Sequence, residues 1–289
     1  MQKTDNNVNN SKVYTLYYAF FLIPLMITII GVMFFFVFKV LTFETNSPND
    51  YLTDIQIGSA TKRWQAAFEL SKILSNSSRV PKDKAFMEKM INIYNKSIHD
   101  DPLVRTYLAM AMGCTGYEEF GPSLMEGLKD RDAMTRLAAI KSLGNIKYVP
   151  AIEGLKEFLK ENSPSEERLA AVISLGNIGE KSVIMDLQNM LDDEEPNIRW
   201  DAAIALAKLE DSSGNDIIIN LLDRSYFDQF SEVDSEEEVQ AILVAIQISS
   251  NYPSDKFVTN LMKLATFDHN MQIRDMAIKA LSQTYDRKI

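Results

Sequence analysis

Residue types that perform acid–base, nucleophilic or metal chemistry are scarce in this chain, and none falls in a recognisable catalytic pattern. The two histidines, His99 and His269, lie in neither an HExxH motif nor a Cys/His ligand cluster. The single cysteine, Cys114, has no neighbouring histidine, and no GxGxxG, GxxxxGKS/T or GxSxG element occurs. The sequence therefore predicts no catalytic residue, no metal site, no cofactor and no small-molecule substrate.

An arginine recurs with apolar residues after it at +3, +4 and +7, a spacing that places the three apolar side chains on one helix face. The six arginines are Arg63, Arg105, Arg136, Arg168, Arg199 and Arg274. From Arg105 to Arg199 the steps are 31, 32 and 31 residues, enough for two short helices and two turns. A fixed period of this size indicates a solenoid, because one helix pair cannot bury its apolar face alone.

The charged residues of this repeat are interpreted as structural. Each arginine starts the same helix of its own repeat, where it can pair with carboxylates and carbonyls of the stack. An acid recurs six positions earlier, at Asp130, Asp193 and Asp268, and we expect it to cap the helix and meet arginines of adjacent repeats. Anion or partner binding by the arginines is the alternative.

The segments RLAAIKSLGNI, RLAAVISLGNIGEKSVIMDLQNMLDD and IRWDAAIALAKL resemble HEAT repeats, specifically the short HEAT-like kind of phycobilisome lyases. The resemblance is strong from about Leu103 to Leu222 and weaker at both ends. It implies an all-α fold, an α-α superhelix or HEAT-like solenoid of about six helix pairs plus a capping helix. Such a fold is a binding scaffold, and analogy at the level of the fold supplies no activity.

Composition narrows the classes of partner. The chain of 289 residues carries a net charge of −10, and no basic surplus is available to release counterions from a nucleic acid. We therefore expect no nucleic-acid partner. One cysteine excludes an intramolecular disulfide framework.

An apolar segment near the N-terminus is long enough to cross a bilayer. Positions 13 to 38 carry no charge over 26 residues, and about 20 suffice for a transmembrane helix. A cleaved signal peptide has a shorter apolar region and a small-x-small cleavage site, neither of which is present. The sequence predicts a single-pass transmembrane helix over 13–41 that contacts the lipid bilayer.

Two further expectations concern this helix. Pro24, Thr28 and Gly31 are predicted to form a packing face for another membrane helix, with a plain, mildly kinked anchor as the alternative. More positive charges precede the helix than closely follow it, which favours the repeat domain on the non-cytoplasmic side.

The sequence divides into four parts: a tail over 1–12, the membrane helix over 13–41, a polar juxtamembrane linker over 42–58 and a HEAT-like repeat domain over 59–289. Helix pairs are predicted near 59–75 and 82–97, 102–113 and 119–129, 132–145 and 149–160, 165–178 and 181–191, and 196–209 and 213–223. A sixth unit near 236–266 lacks the arginine, and a final helix near 271–284 recovers it.

Two surfaces are candidates for binding a partner. The stretch 223–238 combines Tyr226, Phe227 and Phe230 with a run of acids, and it either projects to dock a partner or tucks its aromatic residues onto the stack. The other surface is the solvated side of the second helices, which lines the concave face if the usual curvature holds. Its residues are Glu153, Lys156, Glu157, Asp186, Asn189 and Asn220.

These features predict a membrane-anchored scaffold or accessory subunit that mediates protein–protein interaction in a membrane protein complex and is not an enzyme. The anchor confines the repeat surface to the membrane plane, which raises its effective concentration near membrane partners. Two alternatives stay open, namely an enzyme of the bilin-lyase or related HEAT-like class, and a receptor for a soluble peptide ligand.

Overall fold

The computed structural model describes residues 17–41, 46–231 and 233–287. Within these ranges every regular element is a helix and no strand occurs, so the predicted all-α class is confirmed for them. The chain forms two compact units that divide between Ser47 and Pro48. The predicted tail over 1–12 and the start of the predicted membrane helix lie outside the described residues.

The N-terminal unit is one apolar helix. It begins as a π-helical turn, Tyr18–Leu22, and continues as α1, Ile23–Leu41. Pro24 accounts for the widened turn, because its ring lacks an N–H and crowds the carbonyl one turn earlier. The stretch Tyr18–Lys39 has a mean hydropathy of 2.7 and none of it is buried. By length and composition it suits a membrane span, and it would equally suit a signal sequence.

A helix that the sequence did not predict opens the second unit. The polar linker expected over 42–58 contains α2, Pro48–Ile57, in which the proline occupies the first turn. Leu52 and Ile55 are fully buried, and Arg63 Nε donates to the Ile55 carbonyl at 2.6 Å. The segment is helical because these two apolar residues, three apart, cover the face of the first repeat that has no preceding neighbour.

The rest of the second unit alternates long first helices with shorter second helices. The first helices are α3 (Ala60–Leu74), α5 (Pro102–Thr115), α7 (Ala133–Asn145), α9 (Ser165–Ile178), α11 (Pro196–Lys208), α13 (Ser235–Asn251) and α15 (Met271–Gln283). The second helices are α4 (Lys84–Lys96), α6 (Gly121–Gly127), α8 (Ile152–Lys156), α10 (Ile184–Asn189), α12 (Asn215–Leu221) and α14 (Val258–Phe267). Turns of 3-10 helix precede α6 and flank α8 and α10, so these second helices are shorter than predicted.

Neighbouring first helices pack directly on one another through small residues at fixed positions. The Ser142 hydroxyl donates to the Ala109 carbonyl at 2.8 Å, and the Ser174 hydroxyl donates to the Ile140 carbonyl at 2.9 Å. A Cβ on Gly144 would lie 2.6 Å from the Cα of Ser174. Glycine is required here by the close approach of two helix backbones.

Two hydrophobic cores fill the repeat unit and meet at α11. The first core runs from Leu52 to Leu209, and the second runs from Trp200 to Leu281. Helices α5, α7, α9 and α11 pack side by side, whereas α11 and α13 contact each other only over a short stretch. The first helices therefore separate at the point where one core gives way to the other.

Candidate functional site: an open groove across the first helices

An open groove of about 630 Å³ crosses four consecutive first helices, α7, α9, α11 and α13. Its volume falls within the range of roughly 300–1,000 Å³ that is typical of sites for small molecules. The charged residues of its lining are Lys147, Asp201 and Lys208, and the apolar ones include Ile178, Ile204, Val244 and Ile248. The groove thus combines an apolar wall with a few separated charges.

Asp201 lies on the α11 wall of the groove and is half-buried. Burial raises the pKa of its carboxyl to about 6, and the positive charge of Lys208 offsets part of that rise. Within the residues that the structure describes, this carboxylate has neither a hydrogen bond nor an ion pair. A carboxyl group with such a pKa can give or accept a proton near neutral pH.

Two lysines supply positive charge to the same groove. Lys208 Nζ donates to Asn177 Oδ1 on α9 at 3.2 Å. Lys147 follows α7 with a left-handed φ of 55°. Gly116, Gly179 and Glu210 hold the corresponding positions after α5, α9 and α11, with φ of 73°, 85° and 63°. A lysine there costs roughly 1 kcal/mol relative to glycine.

Sequence reasoning did not single out the charged residues of the groove. Asp201 stands two positions after Arg199, and the same position in the two preceding repeats holds the buried alanines Ala138 and Ala170. An acid at a position that holds alanine in the two preceding repeats was the signal available in the sequence. This signal was missed because the charged residues of the repeat were interpreted as structural.

The aromatic residues of 223–238 pack inward. The Trp200 ring lies 5.6 Å from that of Phe227 and 5.5 Å from that of Phe230, between centroids. Trp200 Nε1 donates to the Tyr226 hydroxyl at 3.2 Å. The rings therefore pack onto the stack, as the alternative describes, and binding of a partner by this stretch stays a prediction.

The other candidate surface lies apart from the groove. Its residues are exposed or half-buried on the second helices and the turns that follow them: Glu153, Lys156, Glu157, Asp186, Asn189 and Asn220. Lys156 Nζ lies 3.1 Å from Glu153 Oε1 and 3.0 Å from Asp186 Oδ2, so it bridges two repeats. None of the six residues lines the groove, which is formed by the first helices and the turns after them.

The central repeat arginines bridge successive repeats. Arg105 Nε lies 2.7 Å from Asp130 Oδ2, and Arg136 Nη2 lies 2.6 Å from Glu167 Oε1. Arg168 Nε lies 2.7 Å from an oxygen of the Asp193 carboxylate but at an angle that makes no hydrogen bond, while Nη2 donates to the other oxygen at 3.1 Å. Further members are Arg63, which pairs with Asp100, and Arg199 and Arg274, which donate to the carbonyls of Asp193 and Asp268.

The acids six positions before the arginines hold turns rather than helix ends. Each accepts a hydrogen bond from the backbone N–H two residues later; the three are Asp130, Asp193 and Asp268. Two of the helices that follow are capped two residues later, α7 by Asp132 and α15 by Asn270, whereas Glu195 at the start of α11 makes no side-chain cap. The prediction that Asp130, Asp193 and Asp268 cap the helices is therefore wrong, and these acids stabilise the preceding turns.

Inside the N-terminal helix the Thr28 hydroxyl donates to the Pro24 carbonyl at 2.9 Å. Its polar group is thus satisfied within its own helix, as is common for threonine in apolar helices. A Cβ added to Gly31 would meet no atom within 4 Å. A packing face for another membrane helix stays a prediction.

The comparisons with known proteins agree with this architecture. A sequence model of HEAT repeats matches residues 87–175 and 152–230. Over 109 residues the chain is 29% identical to phycocyanobilin lyase subunit alpha of Microchaete diplosiphon, and the match covers 36% of this chain and 34% of that protein. The chain thus spans about a third of the length of this curated relative.

A solved structure shows the same fold. It is the complex of CpcE and CpcF of phycocyanin lyase from Nostoc sp. PCC7120, with a TM-score of 0.52 and 21% identity over 85% of this chain and 96% of the matched chain. The prediction that the chain is not an enzyme is wrong on these comparisons, because the proteins that it resembles are subunits of a lyase. With its repeat model, its stacked helix pairs and these relatives, the chain is a HEAT-like repeat protein.

Proposed function

We propose that this chain acts in the bilin-lyase class: it binds a linear tetrapyrrole and, with a partner subunit, takes part in attaching it to an acceptor protein. The observation that carries the proposal is the identity of 29% over 109 residues to a phycocyanobilin lyase subunit. This function replaces the non-catalytic scaffold. It keeps the scaffold's essential property, a long repeat surface that brings two molecules together.

The groove supports a small-molecule role. Its volume of about 630 Å³ and its mixed apolar and charged lining suit an elongated organic ligand that carries several polar groups. The sequence contains none of the motifs for nucleotides, metals or acyl groups, so no such ligand was predicted from it. A bilin needs none of these motifs, since it is recognised through N–H groups, carboxylates and an apolar conjugated body.

A partner subunit is part of the proposal. The structural neighbour is a complex of two lyase subunits, and the same repeat architecture offers this chain an extended surface for a second protein. The net charge of −10 disfavours a nucleic acid in that place.

We also propose that the N-terminal helix holds the protein at a membrane, with the repeat unit on the non-cytoplasmic side. Length and mean hydropathy of Tyr18–Lys39 support a membrane span, and the excess of positive charge before the helix supports the orientation.

Reconstitution with bilin tests the proposed activity. Full-length protein, purified in mild detergent, is titrated with phycocyanobilin while the visible absorption spectrum is recorded. We expect the spectrum to change in shape and intensity, because a flexible chromophore is held in one conformation. An unrelated HEAT-repeat protein in the same detergent is the control for non-specific binding. A spectrum identical to that of the control would overturn the proposed function.

The membrane proposal has its own test. After alkaline carbonate washing, we expect the full-length chain in the membrane pellet, and the intact mass of the purified protein should retain the N-terminal segment. Cys114 is exposed and is the only thiol, so an impermeant maleimide should label intact cells if the repeats lie outside, with Cys114→Ser as control. Burial raises the pKa of Cys114, and labelling is therefore done at mildly alkaline pH. A protein found in the carbonate supernatant, or one that lacks the N-terminal segment, would contradict the proposed membrane anchor.

A further inference from the structure

The groove continues into a second cavity. This cavity, of about 470 Å³, lies between α11 and α13 and is more apolar, with Trp200, Leu221 and Val233 in its wall. Asp201, Ile204 and Val244 line both cavities. The two therefore adjoin at Asp201, and together they form a site with lysines on one side and, on the other, apolar surface next to Glu236 and Glu237.

Asp201 is unlike the other acids embedded in the repeats. Asp130, Asp193 and Asp268 each receive an arginine, whereas Asp201 has no hydrogen bond or ion pair within the described residues. Burial raises its pKa to about 6. An unpaired, partly desolvated carboxylate destabilises a fold, so its presence at the junction of two cavities indicates a ligand that supplies the missing hydrogen-bond donors.

The lysines of the groove lie on the polar side of this junction. Lys147 and Lys208 line the first cavity only, and neither is within ion-pair distance of an acid of the described chain. Lys147 follows α7 in a left-handed conformation, which the turns after α5, α9 and α11 share at Gly116, Gly179 and Glu210. On this side of the junction the two lysines offer positive charge to an anionic ligand.

Resting on the proposed function, we propose that the two adjoining cavities are the bilin site. The carboxylates of the bilin bind Lys147 and Lys208, its N–H groups donate to Asp201, and its conjugated body crosses Ile204 and Val244 toward Trp200. A linear tetrapyrrole with two propionate groups carries the three kinds of chemical group that these residues would recognise: anionic side chains, ring N–H donors and a flat apolar body.

The test compares the binding of phycocyanobilin and of its dimethyl ester by full-length protein in mild detergent. Asp201→Asn keeps the shape of the side chain and removes its charge, and we expect its dissociation constant for phycocyanobilin to rise at least about tenfold near pH 7.5. The double variant Lys147→Ala, Lys208→Ala should raise the dissociation constant for phycocyanobilin by a similar factor. It should not change binding of the dimethyl ester, which has no carboxylate to pair. Lys181→Ala is the matched control, because Lys181 is an exposed lysine paired with Glu210 outside the groove, and it should stay within about twofold.

The outcomes separate this inference from the proposed function. If the unsubstituted chain binds phycocyanobilin and both groove variants bind it equally well, the groove is not the site and the bilin-lyase class survives. If the lysine double variant binds phycocyanobilin and its dimethyl ester more weakly by the same factor, the assignment of the bilin carboxylates to Lys147 and Lys208 is wrong. If the unsubstituted chain binds no bilin, the proposed function fails and this inference fails with it. Far-ultraviolet circular dichroism of each variant shows that the helices are intact.

Discussion

The two halves of the repeat unit hold their layers together with different charge networks. Before α11, arginines of the repeat pair with an acid near the start of the next repeat; the pairs are Arg105–Asp130, Arg136–Glu167 and Arg168–Asp193. We call this series of ion pairs the arginine ladder and the part of the repeat unit before α11 the ladder half. The ladder does not continue after α11. Arg199 reaches only backbone carbonyls, and Asp268 is held instead by Arg224, an arginine outside the repeat pattern.

The difference explains where the groove is. In the ladder half, each arginine ties its first helix to an acid on the next first helix or in the turn before it. Glycine and serine let the helix backbones approach closely. Between α11 and α13 no such tie occurs among the described residues, and the aromatic cluster around Trp200 fills the space on the second-helix side. The first helices separate there and leave Asp201 facing the opening. The site lies where the periodic packing fails, which is common for functional positions.

The largest predicted effect lies in the ladder. In Arg168→Ala, the Asp193 carboxylate stays buried without its partner, because the two side chains are only 3% and 7% exposed. We expect the free energy of unfolding of the full-length protein in detergent to fall by about 3–5 kcal/mol, measured by urea titration. Arg199→Ala is the matched variant from the other half. It removes only hydrogen bonds to carbonyls and should cost about 1 kcal/mol. Equal losses in the two variants would remove the distinction between the halves.

Asp201→Asn should have the next largest effect, with the opposite sign. The pKa of Asp201 rises from its ordinary value of 3.8 to about 6 on folding. The ionised side chain therefore lowers the free energy of unfolding at neutral pH. Each unit of pKa is about 1.4 kcal/mol, and we expect asparagine to stabilise the protein by up to about 3 kcal/mol at pH 8.

The pH dependence of this effect follows from the direction of the shift. A raised carboxyl pKa contributes stability that is fully present below pH 3.8 and is lost as the pH rises through about 6. The advantage of the asparagine variant should therefore vanish near pH 4 and grow to its full size above pH 6. The other charged groups that line the two cavities are Lys147, Lys208, Glu236 and Glu237. A stability gap that does not change between pH 4 and pH 8 would contradict the assignment to Asp201.

Close packing in the ladder half gives the third prediction. In Gly144→Ala the new Cβ would lie 2.6 Å from the Ser174 backbone, which belongs to a packed helix and cannot move alone. We expect a loss of roughly 1–3 kcal/mol in the free energy of unfolding. Gly154→Ala is the control, because its Cβ would meet the tip of the Leu128 side chain at 3.1 Å, which can turn aside. If both alanines are tolerated equally, helix approach through Gly144 does not stabilise the stack.

Sequence alone could predict six of the seven first helices from one pattern, which only α13 lacks. The arginine with its apolar residues predicts a helix near 102–113, and the structure has α5 at Pro102–Thr115. The second helices were predicted less well. Their apolar spacing does not distinguish a continuous α-helix from short α and 3-10 pieces, as in the region of α8, where both occur.

The linker and the groove could not be predicted, because both depend on contacts between distant segments. Helix α2 is too short to be stable alone and forms through burial of Leu52 and Ile55. Asp201 differs from a solvated acid only through the separation of α11 from α13. The repeat pattern of the sequence does not predict this separation, because the separation occurs where the pattern ends.

The smallest predicted effect tests the solvated face of the second helices. Lys156 bridges Asp186 and Glu153 at the surface, and these hydrogen bonds raise the pKa of Lys156 above its ordinary value. Because solvent screens such pairs, Lys156→Met should cost only about 0.5 kcal/mol. A raised lysine pKa contributes stability that is present below about pH 10.4 and lost above it, so the gap should close as the pH rises past that value. Lys181→Met removes a still more exposed pair and should cost less. A Lys156 effect as large as that of Arg168 would mean that burial does not rank the charge pairs of this stack.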